Sequence, residues 1–270
     1  MTFAISNVSS LHEAREALHV SVSQIRAFLI CPMKHRHTYI LRTPPSHRAC
    51  ALAFGSAVHA AIAAFYERLR DEKAPLPIED LHGRFDTEWE AQLAAGDVLF
   101  GDDEDAGSLR TAAHGMLAVF VSDGFQPREI LGIEVPFSVP IPGREEQLVG
   151  AFDLVARDTD GRILIVEHKT AARRYSDDQL RYDLQPTAYV FAARELGLGG
   201  LEDVQVMYQV ITKTKKPAVQ LERVTRCSAD VSDLRMTIDG VLGAVEAAAY
   251  WPVRGWACSA CPYSYACSST

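Results

Sequence analysis

Asp153, Glu167 and Lys169 fall within seventeen residues of one another, in Gly150-Ala-Phe-Asp153 and Glu167-His-Lys169. The two carboxylates offer the hard oxygens that suit Mg²⁺ or Mn²⁺. Lys169 is a compact charge able to orient an attacking water and offset charge on a phosphate. Two carboxylates and an ammonium brought together are costly unless a cation or an anionic substrate completes them. Alone, Asp … Glu-x-Lys is a weak pattern, and a surface salt-bridge cluster explains it as well.

The elements around the triplet raise its weight. Asp160-Gly161 is a hairpin turn signal. It separates an expected strand over 148–156 from another over 163–169. The second strand reads Ile-Leu-Ile-Val and then abruptly Glu-His-Lys, as if a buried sheet delivered polar groups to a cleft. Strand side chains alternate, so Glu167 and Lys169 share a face and His168 points away. A metal would therefore meet the His168 carbonyl, not its imidazole. A hairpin closing at Asp160-Gly161 sets Asp153 across from Glu167 and Lys169.

Gly55-Ser-Ala-Val58-His59 is expected to open a helix with Val58, Ile62, Phe65 and Leu69 along one stripe. His59 flanks that stripe and gains meaning only if the helix packs beside the hairpin. Gln185 and Tyr189 are four apart on a helix expected over about 178–196, or starting beside Gln185 with Pro186 in its first turn, and face the same way. Their polar tips could hold Lys169 or a phosphate. Strands are expected over 129–139, 204–211 and 218–224, a short capped helix from Ser21 through Leu29, and a closing helix over 231–250. Residues 1–19 read as a loose leader.

Six cysteines are present: Cys31, Cys50, Cys227, Cys258, Cys261 and Cys267. Cys258-x₂-Cys261-x₅-Cys267 needs a fourth ligand to close a four-coordinate centre. Cys31, followed by proline in a locally basic segment, is the choice, and zinc with four thiolates is the chemical alternative.

Composition bounds the rest. The 270 residues are 48% hydrophobic and 23% charged, which describes a soluble globular chain of one elaborated domain. The longest apolar runs fall short of a spanning helix, and the first residues lack the pattern of a signal peptide. A cytoplasmic location without a membrane partner is the default expectation. A formal charge of −8 does not advertise a nucleic-acid binder. Any DNA contact must come from local patches, such as 34–48 and 213–216.

Taken in order, these motifs resemble the PD-(D/E)XK nuclease superfamily, specifically its RecB-like branch with an iron–sulfur cluster. That branch includes CRISPR-associated exonucleases and the nuclease domains of recombination helicase–nucleases. Ser21-Val-Ser-Gln24 … Cys31-Pro32 is similar to its N-terminal motif and Gly55-x-x-x-His59 to its first metal-site motif. Gly150-x-x-Asp153, Glu167-His-Lys169 and Gln185-x-x-x-Tyr189 are similar to the core and helix motifs. Cys31 with Cys258, Cys261 and Cys267 matches its one-plus-three cluster pattern.

The resemblance implies an α/β, restriction-endonuclease-like fold: a mixed central sheet flanked by helices, in a single nuclease domain over 1–270. A helical insertion would occupy 71–127, and a cysteine-rich segment 250–270 would join the chain ends through the cluster. His59, Asp153 and Glu167, with the His168 carbonyl, would ligand Mg²⁺ or Mn²⁺. Lys169 would be the catalytic lysine, supported by Gln185 and Tyr189 or leaving those two for DNA. The four cysteines would hold a structural [4Fe–4S] cluster. Cys50 and Cys227 would be ordinary buried thiols. The implied function is a DNA nuclease, best an exonuclease acting on ends or single strands and possessing other DNA-processing proteins as partners. The rivals are a non-catalytic DNA-binding subunit of a repair or CRISPR complex and a zinc-stabilised binding module.

Overall fold

The computed structural model describes residues 5–200 and 203–267. Residues 1–4 of the expected leader and 268–270 of the cysteine-rich segment lie outside the described residues. The N-terminal part contains α1 (Leu11–Ala14), β1 (His19–Val20), α2 (Val22–Ile30), α3 (Pro32–His35) and a π-helical turn at Arg36–Ile40. Next come β2 (Arg48–Ala49), α4 (Cys50–Glu72), α5 (Ile78–Ala94), β3 (Val98–Leu99) and α6 (Ala106–Asp123). Three long strands follow: β4 (Glu129–Pro140), β5 (Gln147–Arg157) and β6 (Ile163–Ala171). Then come α7 (Asp177–Tyr182), α8 (Leu184–Glu195), β7 (Val204–Thr212), β8 (Val219–Val224), α9 (Ser228–Glu246) and α10 (Ser264–Cys267).

Among the described residues, six strands make one mixed sheet in the order β1-β5-β6-β7-β8, with β4 also paired to β5. β6 and β7 run parallel through nine register pairs, and the β5–β6 and β7–β8 pairs are antiparallel. Helices cover both faces. α2, α8 and α9 bury Ile25, Ala188, Phe191, Leu234 and Ile238 against Val155, Ile165, Tyr208 and Val210. On the other face α4, α5 and α6 bury Phe54, Phe65, Phe85, Trp89 and Phe120 against Leu154, Leu164, Val166 and Met207. The segment 71–127 thus supplies α5 and α6 to this second layer.

Local chemistry explains most boundaries. Ser21 and Gln24 form a reciprocal capping box at the start of α2. Cys31 ends α2 and precedes α3, with Pro32 in the first turn where its missing N–H costs nothing.

Several boundaries differ from expectation. α4 begins at Cys50, so Gly55 lies inside the helix and does not open it. By length and composition α4 could cross a membrane, a property that counting short apolar runs missed, but half of its most apolar window is buried in the protein. The helix expected over 178–196 is two helices, broken at an extended Asp183. Pro186 forces the break: its ring would strike the carbonyl of Tyr182 in a continuous helix and it has no N–H to offer. Asp183 then caps α8, accepting from the Gln185 N–H at 2.9 Å. The closing helix starts at Ser228 and ends at Glu246, earlier at both ends than expected. Cys50 is buried as expected, whereas Cys227 is exposed where the chain enters α9.

The described part of the leader is not loose. β4 is an edge strand, and an open edge is a hazard that folds cover. Ser6 Oγ donates to Pro136 O at 2.6 Å, and Asn7 both donates to Ser138 O and accepts from Ser138 N–H. β1 then pairs in parallel with the start of β5.

Candidate active site

β5 and β6 are hydrogen-bonded for only four register pairs, Leu154↔Val166 to Arg157↔Ile163. Beyond these the strands part. β6 stays with β7 and β5 stays with β4, so a wedge opens at the end of the apolar run. Backbone groups on the open edges must find other partners. The Asp153 carboxylate accepts from the His168 N–H at 2.8 Å, and the Tyr189 hydroxyl lies 2.7 Å from Ala151 O.

Glu134 lies in β4, beside Asp153 in the register between Ile133↔Leu154 and Val135↔Phe152. Its φ of 48° is left-handed, a conformation that costs a non-glycine residue roughly 1–3 kcal/mol. Residues two apart in a regular strand share a face. Here Ile133 packs into one core and Val135 into the other, and Leu154 and Phe152 divide in the same way. Both strands change sides at the Glu134–Asp153 position, which brings the two carboxylates to the wedge. Gly150 makes room nearby, since a Cβ there would lie 2.5 Å from the Phe137 ring.

α4 supplies His59 from the opposite wall. Its Nε2 is 2.9 Å from the His168 carbonyl, and its Nδ1 is 3.7 Å from Asp153 and 4.0 Å from Glu134. Ligand atoms of His59, Glu134 and Asp153 lie within 4.8 Å of one another, the one such group of three among the described residues. One imidazole and two carboxylates suit a divalent cation, with the His168 carbonyl alongside. Burial, then the Glu167 charge, raises the Asp153 carboxyl well above its usual range. Burial and Asp153 push Glu134 up to about 7. Acidic groups that hold protons for want of a counter-charge fit an expected cation. Sequence reasoning passed over Glu134. The available clue was one acid inside the otherwise apolar run Ile133-Glu134-Val135.

Glu167 points to a different set of partners. One oxygen pairs with Lys169 and the other is 2.5 Å from the Tyr189 hydroxyl. Burial works to neutralise the Lys169 ammonium, but the Glu167 carboxylate outweighs it and holds the group more firmly charged than usual. Burial raises the Tyr189 phenol well above its usual range. Its ring packs edge-on to Phe152 and Phe137. Gln185 stands in the first turn of α8, where no side-chain bond joins it to Lys169 among the described residues. The cleft over these groups measures about 640 Å³ and is lined by Leu52, Ser56, His59, Glu134, Lys169 and Thr170.

The His168 imidazole lies in the core. It stacks on Tyr66 at 5.6 Å, its Nδ1 accepts from Gln209 Nε2 at 3.2 Å, and burial lowers its basicity well below normal. Gln209 in turn accepts from the Phe125 N–H at 2.6 Å. This chain of contacts fixes the peptide whose carbonyl faces His59.

Cys31, Cys258, Cys261 and Cys267 line one cavity, with Met33, Lys34, His37 and Tyr263. The segments around Cys31 and Trp251 meet there: Met33 N–H donates to Trp251 O at 3.2 Å, and Val253 N–H approaches Cys31 Sγ at 3.4 Å. Of the two basic patches, Lys213 pairs with Glu104, while Lys215 and Lys216 are exposed.

The sequence matches the family model of the PD-(D/E)XK nuclease superfamily over residues 19–268. Among solved structures, the fold is similar to that of an Eubacterium rectale protein named "Putative exonuclease", with a TM-score of 0.58 and 14% identity, covering 97% of this chain and 93% of that one. The structure of SSO0001 aligns over 88% of this chain and 94% of its own, at 14% identity and a TM-score of 0.33. No curated protein matched.

Proposed function

Because the chain belongs to the PD-(D/E)XK nuclease superfamily, we propose that it is a Mg²⁺- or Mn²⁺-dependent deoxyribonuclease acting on DNA ends or single strands. The convergence of His59, Glu134 and Asp153 beside Lys169, where β5 and β6 part, carries this reading.

His59, Asp153 and Glu134 would hold the cation, with the His168 carbonyl beside them. Glu167 would join the set by exchanging its bond to Lys169 for the metal. When bound, a divalent cation acidifies a coordinated water and offsets charge on the phosphate. Lys169, released from Glu167, would donate to a phosphate oxygen or orient the attacking water. Tyr189 keeps the second Glu167 oxygen in place, and Gln209 keeps the His168 peptide in place. The preference for ends or single strands follows the RecB-like resemblance, and the name of the Eubacterium rectale neighbour agrees with it.

The four cysteines would hold a [4Fe–4S] cluster. Their shared cavity supports it, together with the one-plus-three cysteine pattern. Hydrolysis of a phosphodiester needs no electron, so the cluster would act as a staple between the chain ends.

The direct test is purified protein with end-labelled single- and double-stranded DNA and a closed circular control, in Mg²⁺, Mn²⁺ or EDTA. Metal-dependent loss of linear DNA, with the circular duplex spared, is expected. Absence of cleavage under every metal would overturn the enzyme reading in favour of a binding subunit.

A further inference from the structure

Charge along the chain is unevenly divided. Segments 17–66 and 247–270 contain six of the 27 Lys and Arg residues and none of the 35 Asp and Glu residues. The six are Arg26, Lys34, Arg36, Arg42, Arg48 and Arg254. The fold lays the described parts of these two segments against each other. Ser46 N–H donates to Pro262 O at 3.0 Å, Tyr265 hydroxyl to Pro44 O at 2.6 Å, and Arg36 sits 5.6 Å from the Tyr250 ring. Only Arg26 has a carboxylate partner among the described residues, Asp183.

The same face exposes large aromatic area. Trp256 is 84% exposed and Trp251 51% exposed, flanking the exposed Arg254. Such area in water costs stability unless it serves contact with something else. Unpaired cations beside exposed indoles match a flexible polyanion with accessible aromatic faces. A single strand of DNA has both, whereas a duplex hides its base faces. The face is also continuous with the cleft: the chain that touches Pro262 at Ser46 runs directly into α4, whose Leu52 and His59 line the cleft.

We propose that Trp256 and Arg254, with Lys34 and Arg42, form a platform for single-stranded DNA that feeds the cleft, the indole stacking on a base and the cations meeting phosphates. The platform rests on the nuclease reading for its purpose, but its binding is measurable without any cleavage.

The test uses the purified full chain in EDTA and fluorescein-labelled oligothymidylate, followed by anisotropy. Trp256→Ala is expected to weaken binding about 5- to 100-fold, from the stacking of one base. Trp256→Phe should bind nearly as wild type. Arg254→Ala should weaken binding and flatten its salt dependence. Hydrolysis of bis(p-nitrophenyl) phosphate, which is too small to reach the platform, should be the same in all three variants and wild type. Unchanged oligothymidylate binding by Trp256→Ala overturns the proposal. So does absence of wild-type binding, or a duplex of equal length bound with the same dependence on Trp256. Trp256-dependent binding by a protein that cleaves no DNA would support the platform and sink the nuclease reading instead.

Discussion

Asp153 accepts a hydrogen bond from the His168 N–H at 2.8 Å, where β5 and β6 separate. The carboxylate replaces the backbone partner that β6 loses when the strands part. One side chain therefore stabilises the wedge and faces His59 within it.

That double role separates two substitutions. Asp153→Asn keeps an acceptor for the His168 N–H and removes a carboxyl whose charged form burial disfavours. Metal-free stability should be at least that of the wild type. Asp153→Ala leaves a buried N–H without a partner, which costs about 1–3 kcal/mol. Both should abolish cleavage. Thermal denaturation in EDTA distinguishes them, and equal melting temperatures would remove the structural role.

Lys169→Ala should lower cleavage by roughly 10²–10⁴-fold, the usual worth of a group acting on the proton or charge of the reacting atoms. Because Lys169 neutralises Glu167 in the metal-free protein, its loss should leave divalent-metal affinity unchanged or higher. Calorimetric titration with Mn²⁺ checks this. A large fall in affinity would show that Lys169 only positions the ligands.

Tyr189→Phe removes a hydroxyl between Glu167 and Ala151 while leaving the ring against Phe137 and Phe152. A loss of about 1–2 kcal/mol in denaturant unfolding is expected. Cleavage should fall less than with Lys169→Ala, since the carboxylate itself remains.

Stability should depend on pH through Glu134. Its folded pKa is raised from 4.5 to about 7, so the folded protein holds a proton that the unfolded chain has lost between those values. Its contribution therefore declines as pH rises through that window. His35, His37, His82 and His168 have lowered folded values and work in the opposite direction. The informative quantity is the difference between Glu134→Gln and wild type in EDTA. The variant's melting temperature should gain on the wild type from about pH 5 to about pH 7.5, and Mg²⁺ or Mn²⁺ should shrink the gain by stabilising only the wild type well. A constant difference across that range would contradict the buried-acid reading.

Cys261→Ser should remove visible thiolate–iron absorbance and lower thermal stability, because the cysteine cavity is where the segments around Cys31 and Trp251 meet. A coloured variant of normal stability would exclude Cys261 from the cluster.

The sequence by itself determined the parts whose rules are local. The Asp160-Gly161 turn, the apolar β6 run ending in Glu-His-Lys, the Ser21 cap and the cysteine spacing each act through neighbours in the chain. The turn and the apolar run placed Asp153, Glu167 and Lys169 in one region, and His59 joined them only through the family resemblance. Pro186 marked a helix starting beside Gln185 with the proline in its first turn, and α8 starts so, after the Asp183 cap. Tertiary structure alone decided the rest. Glu134 reaches the site through a left-handed residue that turns two strands from one core to the other, and neither periodicity nor propensity carries that. Glu167 turns to Lys169 and Tyr189 because α8 docks where β5 has an open edge. The carboxylate-free terminal segments become one face only because the fold brings the chain ends together. Side-chain type and local spacing set what chemistry is available, and long-range packing decides which groups meet.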